Sequence, residues 1–342
     1  MEKILFVADV QADGSLPKIA REVLSGAVKL SGELDGATLT VGLIGGDVQA
    51  AADSIAGCGA AAFLGVAGDD FAVSRYSSDA AAAEALVRKS EATLVVAPGT
   101  ARLARTLPGV AQRVGGRIDS HVADVQVDGG TVRVERWFYR QRMVAAMSRS
   151  QRPWFLLIDS GVFDLLGGAE GSAPVEAVPV EIPPSRTQVV GEEAASAEAQ
   201  TIRPDADVLF VAGAGWTKNQ ADGQTHLPEA QTLILGFLNE TGSSLGSSKS
   251  LVDQSGEGQE VLSFMSHVNQ VGQTGSTPRH PKGLATCCHG EEPHVVGWRF
   301  IKERRAVNLD PGCGWAQGKA DVLYVADAFE VMAKVNEILG GG

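Results

Sequence analysis

The sequence predicts an α/β protein of two domains, each a mostly parallel sheet flanked by helices, the first with an antiparallel addition. Three observations carry this. Short apolar runs alternate with helical patterns through the first hundred residues, the mark of βαβ units. Two valine pairs, Val125/Val127 and Val132/Val134, flank Asp128-Gly129-Gly130 as in a hairpin, which only antiparallel strands allow. And 342 residues, with periodicity fading near the middle, suit two cores better than one.

The chain opens with the apolar run Ile4 to Ala8, a glycine-containing turn, and a helical pattern through Ile19, Val23, Ala27 and Leu30. Thr38 to Ile44 repeats the strand signal and ends at Gly45-Gly46. Ala50 to Ala56 reads as helix, Ala61 to Val66 as strand, and Asp79 to Lys89 as an alanine-rich helix. Thr93 to Ala97 is the next buried strand, closed by Pro98-Gly99, and Ala101 to Val114 is a helix carrying several arginines. Beyond the hairpin, Trp137 to Met147 and Trp154 to Asp159 continue as strands. Arg136, Arg140, Arg142 and Arg149 form a local basic cluster, either a solvated sheet edge or a docking surface.

From Gly167 to Ala206 Pro174, Pro179, Pro183 and Pro184 and a small, acidic run interrupt the pattern, giving a closing strand and an exposed linker. The expected boundaries are a first domain at 1–190, a linker at 191–204 and a second domain at 205–342. The second domain opens with Val208 to Ala212 and the glycine turn Gly213-Ala214-Gly215. Pro228 suits a helix start after Thr225 or His226, with Leu233, Ile234, Phe237 and Leu238 as the apolar face. Arg305 to Leu309 and Val322 to Val325 are strands, and Ala328 to Leu339 is the last helix.

Composition narrows the function. A net charge of −12 lacks the basic excess that general nucleic-acid binding needs. No apolar run reaches bilayer length, so no membrane insertion is expected. The N-terminus reads straight into a strand rather than a signal peptide, which makes the cytoplasm the expected location. Cys58, Cys287, Cys288 and Cys313 form no C-x-x-C pair, and with His289 and His294 they lack chelate spacing, so a metal is the lesser reading. His121, His226, His267 and His280 have no evident catalytic partners. No Ser-His-Asp or general acid/base set stands out, so hydrolase chemistry is unsupported.

The most informative stretch is Asn269-Gln270-Val271-Gly272-Gln273-Thr274-Gly275. Two glycines let backbone approach a ligand while Gln273 and Thr274 donate hydrogen bonds. On chemistry alone it is a nucleotide loop of unspecified kind or an ordinary glycine turn. Its wording resembles the V-G-Q-T-G loop of the electron-transfer flavoprotein alpha subunit family, and further anchors follow in family order. Gly213-Ala214-Gly215 stands for G-R-G, and Ser248-Lys249 with Val252-Asp253 for S-R followed by V-D. Gly290 and His294 fall in the family segment G-I-S-G-A-I-Q-H. Ala306-Val307-Asn308-Leu309-Asp310-Pro311 matches A-I-N-x-D-P, and Ala320-Asp321 opens the closing segment.

The resemblance spans nearly the whole chain. It implies FAD on the second domain, held by Gly213, Gly215, Ser248, Lys249, Gln270, Val271, Gly272, Gln273, Thr274, Gly290, His294, Asn308, Asp310 and Asp321. Thr274 would approach the flavin N5 edge and His294 the pyrimidine-side carbonyl, while Asn308 and Asp321 would hold the ribose and adenosine portion. It also implies a beta-subunit partner, itself holding AMP, contacted by the first domain. Electrons would come from a primary dehydrogenase or demethylase, with N-methylated amines as the suggested class, and pass to a quinone-linked oxidoreductase. Departures cluster at the expected site. Ala214 replaces an arginine, and Lys249 another, losing the planar fork. Cys287-Cys288-His289 replaces G-I-S, Pro293 a glutamine, and Tyr139-Arg140-Gln141-Arg142 the usual A-G-N-A. The competing implication is a docking subunit whose site has decayed or takes only an adenine nucleotide.

Overall fold

The computed structural model describes residues 1–139, 143–184, 187–191, 202–203, 206–254, 261–272, 276, 278–286, 301–312 and 320–341. The chain divides into two compact units, Met1–Glu192 and Glu193–Gly342.

Unit 1 holds strands β1 (Lys3–Asp9), β2 (Thr38–Gly45), β3 (Ala62–Ala67), β4 (Leu94–Pro98), β5 (Arg117–Asp128), β6 (Thr131–Phe138), β7 (Met143–Met147), β8 (Trp154–Ile158) and β9 (Val175–Ala177). Its helices are α1 (Lys18–Glu33), α2 (Gln49–Asp53), α3 (Asp69–Ala72), α4 (Tyr76–Ser90) and α5 (Ala101–Arg113). The strands form one sheet in the order β7-β6-β5-β8-β4-β1-β2-β3-β9. All neighbours are parallel except β5-β6 and β6-β7.

Burial on both faces explains the apolar runs. Ile4 and Phe6 of β1 pack with Val23 and Leu24 of α1. Leu5 and Val7 point the other way, against Leu86 of α4 and Leu103 of α5. The hairpin has the register its valines require, Val125 opposite Val134 and Val127 opposite Val132. Val125, Val132 and Val134 are buried while Gln126, Arg133 and Glu135 face water, so a one-residue slip would invert both sets.

Unit 2 holds β10 (Val208–Ala212), α6 (Leu227–Thr241), β11 (Ser244–Ser247), α7 (Lys249–Asp253), β12 (Lys282–Thr286), β13 (Glu303–Asn308), β14 (Val322–Val325) and α8 (Ala328–Gly340). Its sheet is parallel throughout, ordered β11-β10-β12-β13-β14. Phe237 of α6 and Met332 of α8 pack with Phe210 on one face, and Leu209 and Val211 turn to the other. The expected fold class is therefore the observed one, including the antiparallel part of the first sheet. Among the described residues no helix is long and apolar enough to cross a membrane.

The start of α6 carries a titrating group. His226, at the N-cap position, sets Nε2 2.9 Å from Asp222 and Nδ1 3.1 Å from Glu229. The hydrogen bond to Asp222, then that to Glu229, raises its pKa above the usual histidine value. The sign follows. The contribution to stability is complete below the unfolded-state pKa and disappears as pH rises through the folded one. NMR titration of the His226 ring is expected to give a midpoint above about 6.5, the unperturbed value, and Asp222→Asn to bring it down. An unshifted midpoint would remove the contact.

Candidate functional site

In unit 2, β10 lies between β11 and β12, so the chain leaves β10 toward one edge and later fills the other side. Open α/β sheets form a crevice at the carboxyl ends of the strands at such a point. Most of the described candidates gather at that end.

The turn after β10 is fixed from several sides. Gly213 donates its N–H to the Thr286 carbonyl at the end of β12, 2.8 Å away. Ala214–Thr217 forms a single 3-10 turn, and Trp216 Nε1 donates to Thr286 Oγ1 at 2.8 Å. Trp216 also packs on Phe329, with ring centroids 4.5 Å apart. Ala214, where the family pattern has arginine, is fully buried. That position offers a ligand backbone only.

After β11, Ser248 donates its N–H to the Ala212 carbonyl at 2.9 Å and caps α7 by accepting from Leu251 N at 3.2 Å. Lys249 follows, and its ammonium is held by the Asp253 carboxylate. His267 Nε2 meets the other oxygen of that carboxylate at 2.9 Å. The hydrogen bond from Lys249, then that from His267, holds Asp253 below the usual carboxylate range. Lys249 is thus tied to its own helix, at 43% side-chain exposure, which leaves the ammonium within reach of a ligand.

The glycine loop lies against β11. Val271 donates its N–H to the Ser247 carbonyl at 3.0 Å, Gly272 to the Ser276 carbonyl at 2.9 Å, and Ser276 back to Gln270 at 2.8 Å. Two glycines make this possible. A Cβ on Gly246 would stand 2.7 Å from Val271 Cγ2, inside any tolerable contact. Gly272 has φ +138°, a conformation side-chain-bearing residues rarely adopt. Asn269 holds the entry, donating from Nδ2 to the Leu245 carbonyl at 3.3 Å and capping a short turn with Ser266.

Asn308, at the end of β13, donates from Nδ2 to the Asp310 carbonyl at 3.0 Å, and Asp310 accepts from Gly312 N–H at 2.7 Å. Asp321 stands apart. It precedes β14 and accepts from Arg304 N and Nη2 at 2.7 and 2.8 Å, at the amino end of β13. Four steps along the strand separate Arg304 from Asn308, about 13 Å at the usual rise. The structure thus brings Gly213, Gly215, Ser248, Lys249, Gln270, Val271, Gly272, Asn308 and Asp310 to one end of the sheet and leaves Asp321 at the other. Gln273, Thr274, Gly290 and His294 lie outside the described residues, as do Cys287, Cys288, His289, Pro293 and Cys313.

A family model for the electron transfer flavoprotein domain matches residues 4–183, more than half of the chain. The chain belongs to the electron transfer flavoprotein family. Its similar relatives there are alpha subunits. One from Syntrophomonas wolfei is 24% identical over 328 residues, 94% of either chain. Probable mitochondrial alpha subunits from two varieties of Cryptococcus neoformans are 27% identical over 232 residues and 31% over 173. These matches take in 67% and 51% of this chain but only 62% and 45% of the relatives, so the chain spans less than two thirds of their length. The family model stops short of unit 2, where the candidate flavin residues are. Of these three matches, those over 328 and 232 residues are longer than unit 1, Met1–Glu192, and must reach into both units, whereas the one over 173 residues need not.

The structure also finds a node that sequence reasoning read otherwise. Arg136 and Arg149, half of the basic cluster, converge on the fully buried Asp119. Arg136 Nη1 donates to Oδ1 at 2.8 Å, Arg149 Nε to Oδ2 at 2.5 Å, and Trp154 Nε1 to Oδ2 at 2.8 Å. These four residues come from β5, β6, the segment before β8, and β8, and no local pattern announces their meeting. Arg140 and Arg142 lie outside the described residues.

Proposed function

We propose that the protein is an electron-carrying alpha subunit that binds FAD along the carboxyl ends of the unit 2 strands and works with a beta subunit. The observation that carries the reading is the convergence, at one switch point, of the Gly213–Gly215 turn, Ser248-Lys249 and the Gln270–Gly272 loop. The residues fit a dinucleotide. Gly213 and Gly215 supply backbone without side chains to the turn after β10, Gly246 leaves room for Val271 of the loop, and Gly272 takes a positive φ that a side chain would strain. Lys249 supplies positive charge at the edge of the site, and Asn308 a side-chain amide. When bound, FAD would supply the electron-accepting ring, and the protein its orientation and electrostatics.

Each residue then has a separate task. Ser248 fixes the start of α7 and with it the origin of the Lys249 side chain. Asp253 holds the ammonium in one place and His267 holds Asp253. Thr274 and His294 contribute the remaining ligand contacts in this reading. The beta subunit, with its AMP, would dock on unit 1. A primary dehydrogenase or demethylase, of the N-methylated amine class, would be the donor, and a quinone-linked oxidoreductase the acceptor. A cytoplasmic location belongs to the same reading.

One observation favours a second reading, a docking subunit with no working flavin. Lys249 is neutralised by Asp253, and the arginine position is the buried Ala214. Absorbance of the chain co-purified with its beta partner, then denaturation and identification of the released nucleotide, separates the two. Stoichiometric FAD is expected. Lys249→Met is expected to keep the fold but lower the flavin reduction potential, because a cation beside the ring favours the electron-rich form. AMP alone, or no nucleotide, would establish the docking reading.

A further inference from the structure

The Asp253 carboxylate, at the end of α7, is reached from two directions. Lys249, one turn back on the same helix, bonds Oδ2. His267 arrives from a separate segment 14 positions along the chain and sets Nε2 2.9 Å from Oδ1. One carboxylate therefore stands between two side chains that carry positive charge, the ammonium at every ordinary pH and the imidazole only when its ring is protonated.

The imidazole is held as firmly at its base as the ammonium is. His267 opens a short 3-10 turn, His267–Asn269, closed by a capping box. Ser266 Oγ accepts from Val268 N–H at 3.3 Å, and Asn269 Oδ1 accepts from Ser266 N–H at 3.0 Å. Gln270 N–H donates to the His267 carbonyl at 3.2 Å, while Asn269 ties the turn to Leu245 of β11. The chain then runs directly into the Gln270–Gly272 loop. The contact between His267 and Asp253 thus joins the base of that loop to the helix that carries Lys249.

α7 and β11 are the elements packed on the turn. β11 contains no titratable side chain, and α7 contains only Lys249 and Asp253. Among the described residues, His267 therefore faces the Asp253 carboxylate, with Lys249 on its far side. With a neutral ring, Lys249 and Asp253 cancel. With a protonated ring the three groups carry one net positive charge, and the carboxylate is shared between two cations, so less of its field opposes the ammonium. The hydrogen bond from Lys249, then that from His267, keeps Asp253 below the usual carboxylate range, so it stays ionised throughout.

We propose that His267 is a positioning residue for Lys249 that makes the positive charge at the edge of the flavin site depend on pH, so that protonation of the ring favours reduction of bound FAD. The proposal rests on the flavin reading above. A cation beside the site stabilises the electron-rich form, and histidine gains its charge between about pH 5 and 8. The effect is complete on the acid side of that window and disappears as pH rises through it.

Reduction potentials of the FAD-loaded complex of this chain with its beta partner, measured across that window, test it. Proton uptake by the flavin, and titration of other groups such as His294, are common to wild type and variants, so the difference between them is what is read. His267→Gln keeps a donor toward Asp253 without the charge. Wild type is expected to favour reduction over His267→Gln by about threefold at the acid end, the scale of an exposed ion pair, and to match it at the alkaline end. His267→Lys, charged throughout, is expected to match wild type in acid and exceed it by a similar factor in alkali. A difference that stays constant with pH marks a structural effect and overturns the proposal, as does no difference at all. The His267 side chain is 63% exposed, so both variants are expected to fold, and either one alone still decides. A complex that releases no FAD on denaturation overturns the flavin reading and this proposal with it. FAD-loaded complexes whose differences ignore pH overturn this proposal alone.

Discussion

Asp119→Ala is expected to destabilise unit 1 by about 3–5 kcal/mol, the range for removing one partner from a buried ionic cluster. The carboxylate is inaccessible to water and receives two guanidinium groups and an indole N–H. Deleting it leaves Arg136 and Arg149 facing each other with no counter-charge, and Trp154 without an acceptor. For a unit of 192 residues, each kcal/mol moves the melting temperature by about 2–4 °C, so a fall of roughly 6–20 °C follows. Circular dichroism melts of the full chain measure it, and a change below about 1 kcal/mol, the scale of an exposed ion pair, would reduce the cluster to a surface contact.

The same carboxylate sets an acid limit. Burial raises its pKa, but the hydrogen bonds from Arg149, Trp154 and Arg136 outweigh burial and hold it below the ordinary aspartate value. A depressed carboxylate contributes stability that is present above the unfolded-state pKa, about 3.9, and lost as pH falls through the folded one. Melting temperatures of wild-type protein are therefore expected to decline below about pH 4 more steeply than those of Asp119→Asn. Parallel curves would show that the cluster does not carry the acid transition.

Gly272→Val is expected to weaken FAD binding by about 5- to 150-fold while leaving the melting of unit 1 unchanged. The position has φ +138° and is buried, and its N–H donates to the Ser276 carbonyl. A side chain there costs about 1–3 kcal/mol. If the loop must hold this shape to bind, the cost appears as lost affinity, about tenfold per 1.4 kcal/mol. Gly246→Val presses on the same loop from below, because its Cβ would lie 2.7 Å from Val271 Cγ2. Flavin fluorescence during titration of the complex reads both variants. Undiminished affinity in the two would detach the loop from the cofactor, and equal loss of unit 2 structure in both would mark it as a folding element.

Much of this protein was legible in its sequence because the signals are local. The runs Ile4 to Ala8 and Leu94 to Ala97 are apolar on every residue, as a strand covered on both faces requires. The hairpin register followed from two valine pairs and a glycine turn. The glycines around Val271 read in the sequence as a nucleotide loop or an ordinary glycine turn, and the structure lays that backbone against β11. What only the tertiary structure decided is which distant residues meet. Asp119, Arg136, Arg149 and Trp154 are separated by up to 35 positions and cluster because β8 is laid between β5 and β4. The arginines read as a surface from sequence because composition shows charge and cannot show its buried counter-charge. Asn308 and Asp321 look like one adenosine-binding pair along the chain, yet parallel pairing of β13 and β14 places them at opposite ends of the sheet. Strand polarity and order are fixed by packing helices on a twisted sheet, and a periodic pattern of apolar residues contains neither.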